Sequence, residues 1–313
     1  MPLTGPERTV YTALAPIVVQ DIAADGSVLV GQGLTDYDVI FLGQGAPNPR
    51  SLAWYDLPRG WPRLSADGRL VLFSAYDARS ELVALLRKTT GAPPQNLGEG
   101  LAWDLSPDER WALLQSGDGL TLVAIGTGMR RHIPLPDLDV GPTRFLGSTG
   151  RAVALARTRA DSGFRLYSID LHSTGATPLS EPLAELQFLE ISPDNRWAAT
   201  NAVVDGKYGP VLHPLAGGKP VALTGLGPDV SPIGWASNDE LWFARIDDED
   251  PSVIGLIRFD VRRRVILEER TLGTRGPVLT APPHLTADGK NIAFVEQRIA
   301  GHLYVIRGLA GAR

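Results

Sequence analysis

Short apolar segments separated by polar turns run along the whole chain, and in many of them apolar and polar residues alternate. Residues 166–170 (LYSID) and 303–306 (LYVI) are examples. Alternation with a period of two is typical of β-strands that bury one face. Gly-containing turns follow several strands, as at Gly175 and at Gly217 and Gly218. The pattern predicts an all-β chain made of antiparallel meanders.

One five-residue motif recurs: an apolar residue, Ser, Pro or Ala, Asp and Gly, followed by an apolar strand. The copies are IAADG at 22–26, LSADG at 64–68, LSPDE at 105–109, LGSTG at 146–150, ISPDN at 191–195, WASND at 235–239 and LTADG at 285–289. Their fourth residues are 42, 41, 41, 45, 44 and 50 residues apart. A propeller blade is about that long. We therefore predict a seven-bladed β-propeller of four-stranded antiparallel blades. Six blades, with two degraded copies discarded, is the alternative.

The chemistry of this motif is that of a β-turn. Ser, Pro and Gly at these positions are the preferences of a type I turn, and the last residue needs a positive φ. Glu109 and Asp239 are therefore the weakest copies. Because the aspartates recur once in each repeat, we interpret them as turn residues and not as calcium ligands or catalytic acids.

The last repeat ends soon after the strand predicted at residues 303–307, so it lacks an outermost strand. Residues 8–14 (RTVYTAL) have the pattern of an unassigned strand. We predict that this N-terminal strand completes the last blade, since closure removes exposed sheet edges. Residues 1–313 would then form a single propeller domain.

Composition excludes several classes of function. The formal net charge is −5, which provides no basic surface for nucleic acid. There are no cysteines, which excludes disulfides and thiolate chemistry but fits either a reducing cytosol or a periplasm. No apolar run in the sequence is long enough to span a bilayer. We expect a monomer, without a membrane segment, that was cut from a longer protein.

The sequence resembles the TolB-like, WD-repeat-like propellers, and most closely the C-terminal propeller regions of bacterial serine/threonine protein kinases. The resemblance covers essentially the whole chain and is carried by residues 86–94, 97–100, 105–113, 234–235 and 303–305. It implies a sensor or protein-interaction module of a larger bacterial signalling protein, on the extracytoplasmic side of the membrane. The motif is specific for the architecture and not for an activity.

Catalytic constellations are not recognisable in the sequence. The five histidines are scattered, and no Gly-x-Ser-x-Gly nucleophile motif is present. The acidic run at 247–250 is expected to be a solvated loop, and no metal or cofactor is predicted. A non-catalytic propeller that binds a peptide, protein or small molecule is the first interpretation. A lactonase-like or lyase-like enzyme using a metal on channel carboxylates, or a structural scaffold, are the alternatives.

The predicted binding residues lie two positions before the second residue of each motif, on the innermost strands that line a channel. These positions hold Asp21, Arg63, Asp104, Phe145, Glu190, Gly234 and His284. Their neighbours in the motifs are apolar, as expected for the face packed between blades.

The charged and polar members, Asp21, Arg63, Asp104, Glu190 and His284, are predicted to line a water-filled channel with Trp61 and Phe188 as an aromatic wall. Structural ion pairs of Arg63 with Asp104 or Asp21 are the alternative. Trp54 or Trp61 is a further candidate for an exposed binding aromatic.

Overall fold

The computed structural model describes residues 17–45, 48–55, 57–160, 163–183, 187–247, 249–274, 276 and 282–307. The described residues form strands and turns without a helix, so the all-β prediction is confirmed. They fall into two compact units: one within Tyr37–Glu296, and one made of the described parts of Met1–Asp36 and Gln297–Arg313. The single domain over residues 1–313 stays a prediction.

In the described part of the chain, no helix is present that has the length and apolar character needed to cross a membrane.

The strands of the described residues are, in chain order, β1 (Ile17–Ile22), β2 (Val28–Leu42), β3 (Arg50–Ser51), β4 (Leu57–Leu64), β5 (Leu70–Tyr76), β6 (Leu82–Lys88), β7 (Gln95–Glu99), β8 (Leu101–Leu105), β9 (Trp111–Ser116), β10 (Gly119–Ala124), β11 (Arg130–Pro134), β12 (Leu138–Phe145), β13 (Arg151–Thr158), β14 (Arg165–Asp170), β15 (Ala176–Pro178), β16 (Gln187–Ile191), β17 (Trp197–Val204), β18 (Lys207–Pro214), β19 (Val221–Ala222), β20 (Val230–Trp235), β21 (Glu240–Ile246), β22 (Val253–Asp260), β23 (Val265–Gly273), β24 (His284–Leu285) and β25 (Ile292–Ile306).

Five blades are regular antiparallel meanders of four consecutive strands. Blade 1 is β4–β7, blade 2 β8–β11, blade 3 β12–β15, blade 4 β16–β19 and blade 5 β20–β23. In each blade the first strand is innermost and contacts the first strand of the next blade. Four-stranded propeller blades, as predicted from the repeat, are thus confirmed.

The sixth blade combines both ends of the larger unit. Its strand order is β24, β25, β2 and β3, and β24 contacts both β20 and β4. The ring of innermost strands therefore closes after six blades. Six is the alternative blade number that the sequence analysis gave beside seven. Closure by an N-terminal strand is confirmed, with β2 and β3 as the closing strands. The strand predicted at 8–14 lies outside the described residues.

The ring has one blade fewer than the motif has copies because β2 and β25 are single strands of 15 residues each. The repeat predicted a hairpin within each of these segments, including a separate strand at 303–307. Neither segment contains the Asn-Gly or Asp-Gly pair that favours a tight hairpin. In the smaller unit, β1 pairs with the beginning of β2, so the first motif copy is the turn of this hairpin.

All seven motif copies connect antiparallel strands. In four of them a hydroxyl at the second position donates to the Asp carboxylate, as from Ser65 to Asp67 at 2.7 Å, and accepts a backbone amide. The last residue has a positive φ even where it is Glu109 (57°) or Asn195 (59°), although not at Asp239. The interpretation of the motif as a turn is supported by these bonds.

Apolar side chains of adjacent blades form the core. One cluster joins Leu113 and Leu120 of blade 2 to Ala152 and Ile169 of blade 3. Another joins Val39 of β2 and Leu52, the residue after β3, to Val71 and Phe73 of blade 1. The inner strands are thus fixed by the packing of large apolar faces between blades.

Candidate functional site

The innermost strands share an irregularity shortly before the motif. The pairing register shifts between Arg59 and Arg63 in β4, between Ala102 and Asp104 in β8, and between Gln187 and Glu190 in β16. Strands β12 and β20 have shifts in similar positions. A β-bulge places two consecutive residues against one partner and turns a side chain to a new direction. Here the bulges precede the residues that meet around the channel axis.

Four charged side chains from four blades form a buried cluster. Arg63 of blade 1 contacts Glu190 of blade 4, with Nη1 and Oε1 2.5 Å apart, and its Nε lies 3.4 Å from Oδ1 of Asp104 in blade 2. Arg144 of blade 3 reaches the same Glu190 oxygen at 3.2 Å. Blades 1 and 4 face each other in a ring of six, so the Arg63–Glu190 pair crosses the channel.

Part of the remaining hydrogen-bonding capacity of the cluster is used by the backbone. Asp104 Oδ2 accepts the amide of Phe145 at 2.9 Å, and Arg144 Nη1 donates to the carbonyls of Trp103 and Thr143. Burial lowers the pKa of Arg63, but the negative charges of Glu190 and Asp104 offset this and leave its pKa raised. Burial raises the pKa of Asp104, and the two arginines oppose that rise. Two cations thus balance two carboxylates.

His284 belongs to the same buried region but not to the ion pairs. Its Nδ1 accepts the backbone amide of Leu64 at 3.0 Å, which places the proton of a neutral imidazole on Nε2. Burial, together with the positive charges of Arg63 and Arg144, holds the pKa of His284 well below its ordinary value. The ring is therefore neutral at physiological pH.

An aromatic layer lies next to the charges. The ring centroid of Trp61 is 5.2 Å from that of Trp103 and 6.2 Å from that of Phe188. Trp61 and Phe188 are half-buried, and Phe188 has a φ of 58°, an uncommon backbone conformation for a bulky residue. A cavity of about 20 Å³ is lined by these two rings, Pro282 and His284, together with the charged residues Arg63, Arg144 and Glu190. Such a volume holds about one water molecule.

The structure brings together Arg63, Asp104, Glu190, His284, Trp61 and Phe188 of the predicted residues. The prediction that Asp21 lines the channel is wrong. Asp21 is exposed on β1 in the smaller unit, and β1 is not one of the six innermost strands. Arg63 does pair with Asp104, as the ion-pair alternative proposed. Ligand binding in the channel stays a prediction.

Two members of the cluster were missed by sequence reasoning. Arg144 lies one residue before the predicted position, Phe145, so the alternation of a strand assigns it to the face between blades. Its long side chain nevertheless reaches Glu190. Trp103 was assigned to core packing, and it is buried, but its ring also contacts Trp61. The bulges in β8 and β12 are not visible in the sequence, so neither position carried a signal.

Other predicted features lie outside this cluster. Trp54 is 49% exposed, with the guanidinium carbon of Arg87 5.4 Å from its ring centroid. In the acidic run, Asp247 and Asp250 accept hydrogen bonds from their own loop. Among the residues that the structure describes, no three His, Asp or Glu side chains are arranged to hold a metal ion.

No protein-family model matches the sequence, and no curated protein matches it in sequence. Solved structures do match. A putative TolB from Agrobacterium tumefaciens has a TM-score of 0.61 at 16% identity, covering 85% of this chain and 99% of that one. TolB from Acinetobacter baumannii has a TM-score of 0.58 at 12% identity, covering 77% and 64%. An oligogalacturonate lyase in complex with manganese has 0.54 at 15% identity, covering 88% and 76%. The chain has the fold of TolB-like β-propellers.

Proposed function

We propose that this chain is a non-catalytic binding propeller that recognises a peptide or protein at the aromatic mouth of its channel. The observation that carries the proposal is the use of the channel carboxylates: Glu190 is paired with Arg63 and Arg144, and Asp104 is held by Arg63 and the amide of Phe145. Acid–base catalysis needs a carboxylate or imidazole that can reach a substrate proton. These carboxylates are instead part of the scaffold.

The half-buried rings of Trp61 and Phe188 are the recognition surface of this proposal. They lie beside Pro232, Pro282 and Pro283 at the small cavity. Rigid aromatic and proline side chains lose little conformational entropy when a partner covers them, and aromatic residues dominate the energetics of many interfaces. The surface suits an apolar side chain of a partner better than a polar small molecule, because the nearby charges are already paired.

The first experiment selects binding peptides from a random displayed library on the wild-type protein and measures their affinities for variants. Phe188→Gly removes a ring at a position where positive φ favours glycine, so this variant should keep its fold. Trp61→Ala removes the other ring, and Trp54→Ala is the matched control. We expect the selected peptides to bind the first two variants at least about tenfold more weakly. Equal binding to wild type and to both variants would exclude the mouth as the recognition surface.

The second experiment tests the enzymatic alternative, in which channel carboxylates hold a metal. Calorimetric titration with Mn²⁺ and with Ca²⁺ should show no binding that depends on Glu190, since a metal would have to displace two guanidinium groups. Glu190→Gln and the exposed Glu99→Gln form a matched pair. One-to-one binding that Glu190→Gln abolishes and Glu99→Gln retains would overturn the non-catalytic proposal.

We further propose, from the sequence resemblance, that the chain is the sensor or interaction module of a larger bacterial signalling protein with this part outside the cytoplasm. An antibody against the chain should detect in fractionated source cells a product well above its own 33.6 kDa, in the membrane fraction and accessible to protease from outside the cytoplasm. A cytosolic product near that mass would contradict both statements.

A further inference from the structure

A groove of about 260 Å³ lies between blades 2 and 3, at the edge formed by their motif turns and remote in sequence from the aromatic mouth. Its lining includes the apolar residues Trp111, Leu122, Phe145 and Leu171 and the polar residues Arg131 and His172. This volume lies near the lower end of the range for small-molecule sites. None of the four charged residues of the channel cluster lines the groove, although the backbone amide of Phe145 donates to Asp104.

The floor of the groove is apolar and rigid. Leu122 and Leu171 are each 3% exposed and belong to the core cluster shared by blades 2 and 3, and Trp111 and Phe145 pack against that cluster. Both aromatic rings are only partly buried. An apolar group of a ligand would therefore cover aromatic surface that the protein itself leaves open to water, which is favourable in proportion to the area buried.

The wall on the side of blade 3 is the degraded motif copy at 146–150. Gly147 stands where four of the other copies have Ser or Thr. Both Gly147 and Gly150 have positive φ (52° and 72°). A Cβ on Gly150 would come within 2.5 Å of Nε2 of His172. The absence of a side chain at Gly150 thus allows the His172 ring to lie over the turn.

The rim is positively charged. Arg131 Nη1 lies 3.4 Å from Nδ1 of His172, and both side chains are exposed. No ion pair to Arg131 is formed within the described residues. Asp108 also lines the groove, but its Oδ1 accepts hydrogen bonds from the Ser106 hydroxyl and the Arg110 amide inside its own turn. The guanidinium of Arg131 is therefore the charge available to a ligand.

We propose that this groove is a binding site for a small amphiphilic anion, with an aromatic or branched apolar group on the floor and a carboxylate at Arg131 and His172. The apolar floor and the cationic rim together favour such a molecule over a sugar, a cation or a neutral hydrocarbon. A guanidinium binds a carboxylate through charge-assisted, often bidentate hydrogen bonds. The site is independent of the recognition surface at Trp61 and Phe188.

The test measures the binding of phenylacetate, with benzyl alcohol as a neutral analogue and phenethylamine as a cationic one, by ligand-observed NMR titration on the intact chain. We expect phenylacetate to bind most tightly of the three. Arg131→Gln should weaken the binding of phenylacetate about five- to tenfold and leave the affinity for benzyl alcohol unchanged. Arg151→Gln makes the same charge change at an exposed residue of blade 3 that does not line the groove, and it should change neither affinity.

A second variant tests the geometry of the rim. Gly150→Ala should displace the His172 ring and weaken the binding of phenylacetate. The melting temperature of this variant checks that it keeps its fold. The proposal is overturned if phenylacetate does not bind at millimolar concentrations, if the three compounds bind equally, or if Arg131→Gln and Arg151→Gln have the same effect.

Discussion

At the residue scale, buried charge is the main feature of the propeller centre. Ions removed from water are costly, and the cost is recovered only when partners and hydrogen bonds are well placed. Arg63, Asp104, Arg144 and Glu190 come from four different blades, so each depends on the correct packing of the others. The cluster therefore specifies how the blades meet.

Arg63→Met tests this dependence. The change leaves two buried carboxylates with one arginine, and the free energy of unfolding should fall by about 3–5 kcal/mol in a urea titration. Arg69→Met, at a side chain that is 81% exposed, should have almost no effect although Arg69 also contacts a carboxylate. Adding Glu190→Leu to Arg63→Met should recover part of the loss. Equal stability of wild type and Arg63→Met would contradict the structural role of the cluster.

A second residue-scale prediction concerns the turn of blade 2. Glu109 has a φ of 57°, where its Cβ is unfavourably placed, and glycine has no such penalty. Glu109→Gly should raise the free energy of unfolding by roughly 0.5–1 kcal/mol after the entropy of glycine in the unfolded chain is counted. Glu249→Gly, in an exposed loop and not at a positive φ, should leave stability unchanged or lower it. The interpretation fails if Glu109→Gly is destabilising.

A third prediction links stability to pH through His213. Its side chain is 3% exposed, Nε2 lies 2.9 Å from Oγ1 of Thr200, and burial lowers its pKa from 6.5 to about 4. Between these values the unfolded chain binds a proton that the folded chain does not, so stability falls as the pH falls from 6.5 to about 4. The contribution of this one residue is roughly 3 kcal/mol.

The measurement is urea unfolding at neutral pH and at several values down to pH 4. His213→Gln should reduce the pH dependence of stability but not abolish it, because the buried His284 also has a lowered pKa. His302→Gln, at an exposed residue of the smaller unit, should not change the pH dependence. A profile that His213→Gln leaves unchanged would show that this histidine is not protected from protonation.

At the element scale, the closing strands of the sixth blade distinguish this propeller from a simple row of repeats. Val39 of β2 and Leu52 beside β3 are fully buried against Val71 and Phe73 of blade 1. The N-terminal strands thus join the last blade to the first. Closure of this kind leaves no exposed edge in the ring of inner strands.

Leu52→Ala tests the closure. A cavity at this fully buried position should lower the free energy of unfolding by about 2–5 kcal/mol. Leu303→Ala, at a residue of β25 that is 70% exposed, should have little effect. If both changes have equally small effects by urea titration, β2 and β3 do not close the ring.

For the molecule as a whole, the propeller fold does not by itself determine the function. TolB proteins and an oligogalacturonate lyase with manganese share this architecture at identities of 12–16%. A propeller presents its inner strands to a common axis, and the residues on those strands decide what happens there. In this chain those residues pair with one another, and this pairing is the basis on which we propose recognition at the mouth and not chemistry in the channel.

The sequence by itself determined the repeat, the turns and the kind of blade. The motif contains its own turn chemistry, within residues such as Ser65 and Asp67 that bond each other directly, so it predicted antiparallel hairpins correctly. It also identified most of the side chains at the axis, because the alternation of a strand is a local property.

Only the tertiary structure decided the closure and the pairing of charges. The extended course of β2 and β25 depends on pairing between the two ends of the chain, and this made six blades from seven motif copies. Arg63 and Glu190 are 127 residues apart in sequence and meet because blades 1 and 4 face each other. Arg144 enters the cluster because its neighbour Phe145, and not Arg144, packs against the apolar cluster between blades 2 and 3. Contacts of this kind are set by the packing of whole blades, on which a repeat in the sequence carries no information.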